Sequence, residues 1–272
     1  MSIPTTGIAP ESAGKETGRY TLQNLSRAID VLDILAANAG GISVSDVARA
    51  AGCSKSTAFA ILQTLEERNL VSSTGDRFQR RYKLGLGLAR LGQLAVDSVS
   101  VLEAAMPYLK QLTAITRLSA RVATLSKGAA VVLGQVDGPN SIRFDLNMGG
   151  RERLHCTGIG KAILSQFTDQ EVIELAEQTG LPTPTAKTIP SIEALIENLA
   201  LVRKRGFAVD DEEDALGILC VGAAIYDHTG NCTGGVSVTG LKAGFTSDRV
   251  MSVGAAVTAA AQGISRRLGA QQ

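Results

Sequence analysis

The 272-residue sequence predicts an α+β protein: an N-terminal winged helix-turn-helix, a connecting helix, and a C-terminal α/β domain with a mainly antiparallel sheet. Three observations carry this expectation. Apolar residues recur at helical spacing through residues 22–65, with small capping residues between the runs. A Thr74-Gly75-Asp76 turn then joins two short β-like runs. Beyond Leu118, short β-branched runs separated by Gly and Asn alternate with helical stretches.

The length suits one or two domains, and two is the better expectation. Residues 1–19 are polar and rich in Gly, Pro, Ser and Thr, which reads as a flexible tail. Residues 20–84 form the winged domain, 85–100 the linker helix and 101–272 the second domain. In the first helix, about Leu22 to Ala39, Leu25, Ile29, Leu32 and Leu35 make one stripe that stops at Gly40-Gly41. Ser43 caps a short helix carrying Val44, Val47 and Ala48. Gly52 breaks it, and Ser54 caps a third helix whose apolar positions are Ala58, Ile61, Leu62 and Leu65. That spacing turns Lys55, Ser56, Thr57, Phe59, Ala60 and Gln63 away from the core. Asn69 ends the helix before the strand "LVSS" and the wing hairpin "TGDRFQRRYKLG".

The chain is near neutral, with net charge +1 and pI about 7.7, so any basic surface must be local. Between residues 54 and 92, seven cations (Lys55, Arg68, Arg77, Arg80, Arg81, Lys83, Arg90) face three anions (Glu66, Glu67, Asp76), a net +4. Small polar side chains at a helix start can approach base edges, while Lys and Arg neutralise phosphates. The DNA-facing candidates are Ser43, Lys55, Ser56, Thr57, Phe59, Gln63, Arg80 and Arg81. A winged domain used only for protein contacts, with Arg80 and Arg81 as a solvated face, is the alternative.

The stretch after the wing carries Leu88, Ala89, Leu91 and Ala95 and is helical; it pairs with a second copy or packs on its own domain. In the second domain "SARVATLS", "AAVVLGQVD", "SIRFDLNM", "FAVDDEED", "CVGAAIYD" and "GGVSVTG" read as strands. "GKAILSQF", "DQEVIELAEQTG" and "SIEALIENLALVRKRG" read as helices, and a last helix is capped by Thr246 or Ser247.

No apolar run reaches 18 residues and no export signal is present, so a cytoplasmic protein without membrane association is expected. Four scattered cysteines fit reduced thiols, and neither they nor His155 and His228 have metal-site spacing; no metal and no cofactor are expected.

"LHCTGIGKAIL" resembles a phosphate loop but fails: His155 stands where the first glycine belongs, and Ala162 replaces the hydroxyl residue. A helix start after Thr157, Gly158, Ile159 and Gly160 remains, whose N–H groups favour a carboxylate, unless the glycines only make a tight turn. Lys161 is incidental on this reading. The acidic run Asp210 to Asp214 reads as a solvated loop, with metal binding a weaker option. Cys220 reads as a buried small side chain; a Cys220–His155 nucleophilic pair is the enzymatic alternative, lacking any visible orienting group. Ser237 and Thr239 share one face of a strand and point either into a pocket or to solvent.

The order of winged reader, connecting helix, "LHCTGIGKAIL", "RKRGFAVDDEEDALGILCVGAAIYD" and "GGVSVTG" strongly resembles the IclR family of bacterial transcriptional regulators, over about residues 20–268. The resemblance implies a GAF-like second domain that binds a small organic acid or aromatic catabolic intermediate, and a homodimer or homotetramer on palindromic double-stranded operator DNA. It places the effector against Thr157, Gly158 and Ile159, with walls from Asp210, Ile218, Cys220, Ser237 and Thr239. It assigns Lys55, Ser56, Thr57 and Gln63 to the major groove and Arg80 and Arg81 to the backbone or minor groove. The chain departs from the family pattern in having Ala60 where many members have arginine, and Ala224 where many have proline. A regulator of a catabolic operon, acting as repressor or activator and not as an enzyme, is therefore expected.

Overall fold

A computed structural model describes residues 22–76, 79–97, 100–139 and 149–271. The expected tail at 1–19, Arg77 of the wing and the expected strand "SIRFDLNM" at 141–148 lie outside the described residues. The chain divides into two compact units between Ala95 and Val96.

In the first unit, helices α1 (Gln23–Ala36), α2 (Val44–Ala50) and α3 (Lys55–Glu67) enclose a core of Val31, Leu35, Val47, Ala58, Leu62, Leu65, Val71 and Tyr82. Each start is set by local chemistry. Ser43 accepts the Asp46 N–H to cap α2, and Ser54 accepts the Thr57 N–H, 3.1 Å, to cap α3. Asn69 takes the left-handed conformation just after α3. Strands β2 (Val71–Thr74) and β3 (Arg81–Leu84) form the wing, and a two-residue strand β1 (Ile42–Ser43) completes a β1-β3-β2 sheet. The chain then enters helix α4 (Leu86–Asp97). The expected stripe on α1 is rotated: Leu35 is buried together with Val31, whereas Leu25 and Ile29 are exposed.

In the second unit a six-stranded antiparallel sheet runs β6-β5-β4-β9-β8-β7, from β4 (Ser119–Ser126), β5 (Ala129–Val136), β6 (Arg151–Glu152), β7 (Ala208–Asp211), β8 (Ile218–Tyr226) and β9 (Cys232–Leu241). Strand alternation gives the sheet two unlike faces. Ala120, Val122, Leu219, Val221, Ala223, Val236 and Val238 pack with helices α5 (Val101–Thr116) and α9 (Ser247–Arg267) into the main core. The opposite face carries Arg121, Ala123, Cys220, Gly222, Gly235, Ser237 and Thr239. Helix α6 (Gly158–Leu164) covers part of it, supported by α7 (Asp169–Thr179) and α8 (Ile192–Arg205) through a second core of Ala123, Ile159, Ile163, Leu164, Val172, Leu195 and Leu199.

Helix α6 lies very close to the sheet. A Cβ on Gly222 would come within 2.5 Å of the Gly158 carbonyl oxygen, and one on Gly158 within 3.0 Å of Cys220 Cβ. Close packing therefore requires glycine at 222 and favours it at 158. Lys161 is not incidental: its side chain is 0% exposed, and its ammonium donates to the Val209 carbonyl, 2.7 Å, and to the Glu213 carboxylate. Nor is the acidic run a solvated loop. Asp210 and Glu213 are buried, because a lysine 52 residues earlier in the chain reaches Glu213 and the Asp210 carboxylate accepts the Glu213 N–H at 2.8 Å.

Removing one partner of a buried ion pair strands the other charge. Lys161→Ala should cost about 3–5 kcal/mol in urea denaturation. Lys161→Met/Glu213→Leu should recover most of that loss; a single variant as stable as wild type would mean the strut bears no load.

Candidate functional site

Two regions gather the expected site residues, one in each unit. In the first, Lys55, Ser56, Phe59 and Gln63 lie exposed along α3, and Thr57 is half-buried at its start. The Ser54 hydroxyl is 2.9 Å from Ser56 Oγ and 2.8 Å from Thr57 Oγ1, so the first turn is a linked hydroxyl cluster. On the wing, Arg80 pairs with Glu66 at 2.8 Å, donates to Ser73 Oγ at 2.8 Å and stacks over the Tyr82 ring. Arg81 is exposed and donates to the Gly41 carbonyl at 3.0 Å. Ser43 donates to Asp46 Oδ2 at 2.7 Å while capping α2, so its hydroxyl is engaged within the protein.

In the second unit a cavity of about 400 Å³ opens beside α6, and all eight expected effector residues line it: Thr157, Gly158, Ile159, Asp210, Ile218, Cys220, Ser237 and Thr239. The sheet register brings the strand residues together. Asp210 faces Cys220, Cys220 faces Thr239, and Ser237 faces Arg121 across β7, β8, β9 and β4. Thr157 caps α6 by accepting the Gly160 N–H at 3.0 Å, and its own hydroxyl donates to the Arg153 carbonyl at 2.7 Å. The Gly158 and Ile159 N–H groups stand in the first turn, where a helix supplies no acceptor of its own.

Five charged residues at the cavity were missed by sequence reasoning: Arg121, Arg151, Glu152, Arg153 and Asp214. Arg121 is the informative omission. An arginine amid the short strand "SARVATLS" departs from a β-branched pattern, and that was the available signal.

Burial pushes the Asp210 carboxyl from 3.8 up to about 7, against the Glu213 and Asp214 N–H groups it accepts. Burial also raises the Cys220 thiol, which lies 3.2 Å from Thr239 Oγ1. His155 Nε2 donates to the Pro182 carbonyl at 2.9 Å, and burial lowers its pKa. A thiol held protonated, with the histidine occupied elsewhere, is a poor nucleophilic pair. A larger cavity, about 760 Å³ among α6, α8, β8 and α9, contains none of the eight residues. Its Arg203 is engaged by the Ser165 and Phe167 carbonyls and by Asp169. Among the described residues no cluster of three or more metal-ligating side chains occurs, and no helix is long and apolar enough to cross a membrane.

Residues 24–75 match the IclR helix-turn-helix domain, and residues 93–266 match the bacterial transcriptional regulator IclR C-terminal domain. The chain is 32% identical over 253 residues to the HTH-type transcriptional repressor AllR of Salmonella paratyphi A, covering 93% of this chain and 92% of that one. It resembles the Thermotoga maritima IclR crystal structure at 30% identity and TM-score 0.61, covering 90% of this chain and 98% of that chain. In fold it also resembles the Agobacterium tumefaciens repressor BlcR, at TM-score 0.76 and 23% identity over 93% of this chain and 99% of that one.

The folded pKa of Asp210 lies above its unfolded value, so folding takes up a proton. The stability this contributes is full below about pH 4 and is lost as the pH rises to about 7. Asp210→Asn should flatten the pH dependence of the melting temperature across that window. A variant profile parallel to wild type would place the titration elsewhere.

Proposed function

This chain belongs to the IclR family of bacterial transcriptional regulators, and we propose that it is a homo-oligomeric repressor of a catabolic operon, released from DNA by a small acid bound beside α6. The observation that carries the effector half is the single cavity onto which Thr157, Gly158, Ile159, Asp210, Ile218, Cys220, Ser237 and Thr239 converge. Repression is favoured by the names of two similar proteins, the transcriptional repressor AllR and the repressor BlcR.

For DNA, we assign base contacts to Lys55, Ser56, Thr57, Phe59 and Gln63 of α3, and phosphate contacts to Arg81. Arg80 and Ser43 contribute through the intraprotein bonds that hold the wing and α2, a smaller role than a direct contact. Assembly into a dimer or tetramer is supported by exposed apolar side chains on two helices: Leu22, Leu25 and Ile29 at α1, and Leu86, Leu91 and Leu94 on α4. The protein is read as a non-enzyme acting in the cytoplasm. For the effector to act, it must bind the DNA-competent and incompetent arrangements with different affinity, and residues 85–100 are the proposed transmitter.

Binding to the promoter regions flanking the gene should tighten on lowering salt. Lys55→Ala should reduce the slope of log Kobs against log salt by about one unit. Gln63→Ala should cost about 1–3 kcal/mol at the preferred site and little on unrelated DNA. A gel-shift series in which both variants match wild type would remove α3 from the interface.

A further inference from the structure

Arg121 lies on the mixed face of β4, directly opposite Ser237 of β9, with its side chain 8% exposed and lining the cavity. Its Nη1 pairs with Glu152, while its Nε is buried and has no hydrogen-bond partner among the described residues. A guanidinium presents five N–H donors in a planar fork made for carboxylates, and a buried donor left unmade is costly. The other two arginines at the cavity are exposed and already committed. Arg151 donates to the Ser126 and Lys127 carbonyls, and Arg153 pairs with Asp214 at 3.2 Å.

The partner of Arg121 lies at the edge of the sheet. Glu152 belongs to the two-residue strand β6, which meets β5 at Ala130↔Glu152 and Val131↔Arg151 and is continued by backbone bonds of Gly149 and Gly150 with Val132. The fork therefore has an unmatched donor in a side chain that lines the cavity, and its carboxylate partner sits on a short edge strand lining the same cavity. Helix α6 is a weaker anchor: it has seven residues, and its Gly160 N–H is already bonded to Thr157.

We propose that Arg121 is the anchor for the effector's carboxylate, and that Glu152 occupies the fork until a ligand carboxylate takes its place. The ligand class is a small aliphatic carboxylic acid, ionised at neutral pH and lying between β4 and β6. This rests on the effector reading above and names the group that selects for charge.

The test uses the full chain at pH 7.5, with acetate, malonate and succinate as probes and acetamide, malonamide and succinamide as their uncharged counterparts. Thermal shift and calorimetry read the binding. At least one acid should stabilise the wild type while its amide does not. Because Arg121→Gln alone strands Glu152, the decisive variant is Arg121→Gln/Glu152→Gln, which should bind that acid about tenfold or more weakly. Glu152→Gln alone should bind it more tightly, since the competing carboxylate is gone. A double variant that binds as well as wild type overturns the Arg121 anchor and leaves the cavity reading intact if Ser237→Ala still weakens binding. A Glu152→Gln variant as weak as the double overturns the exchange. If none of the three acids stabilises the wild type, both this inference and the cavity reading fall.

Discussion

Helix α6 rests against strand β8 with no space for a side chain at Gly222 and little at Gly158, and the candidate site depends on that approach. Bringing backbone this close to a sheet requires glycine on the strand and favours it on the helix. It then leaves α6 nearly fully buried, with Ile159 packed over Gly235 and Ile163 in the second core. The same seating carries Lys161 into the interior, where its ammonium would be costly without acceptors. Val209 and Glu213 supply them, so the loop following β7 is drawn down beside α6. The cavity is the strip of sheet that α6 leaves uncovered, closed at one side by that loop.

The unlike faces of the sheet explain why polar groups collect there. Residues of β4, β8 and β9 that point toward α5 and α9 are Ala, Val or Leu and make a dry core. Their neighbours in register, Arg121, Cys220, Ser237 and Thr239, point the other way. A one-residue slip in β4 or β9 would put an arginine or a hydroxyl into the apolar core and a valine into the cavity. The register that secures the fold is thus the register that assembles the site.

Local signals in the sequence were legible and distant ones were not. Helix α3 could be read in full, because the Ser54 cap, the Ala58, Leu62 and Leu65 stripe and the Asn69 stop all act within a few residues. Strand β4 is "SARVATLS" to the residue, since β-branched and small residues bounded by turns suffice to mark it. Strands β1 and β6 have two residues each, too few for any periodicity. The buried face of α1 is centred on Val31 and Leu35, turned away from Leu25 and Ile29, because the helix carries apolar residues on both faces and the sequence alone does not say which is covered. The acidic run looked solvated because its cation lies 52 residues away, and Glu152 is 31 residues from Arg121. Such pairs exist only once strand order is settled, and no window of sequence contains them.

The two buried ion pairs of the second unit differ in a way that bears on regulation. Lys161 and Glu213 are walled in by the α6–β8 contact, with a backbone carbonyl taking part, so exchange of either partner would require unseating the helix. Arg121 and Glu152 border a cavity, and Glu152 lies on a short strand at the edge of the sheet. A ligand shifts an equilibrium only by its difference in affinity between two arrangements. A pair that cannot open offers no second arrangement, whereas one carboxylate exchanging for another at a fixed guanidinium keeps the charge balance of the interior in both states. The cost of desolvating the cation is then common to both arrangements and cancels, leaving the position of Glu152 and β6 as what distinguishes them.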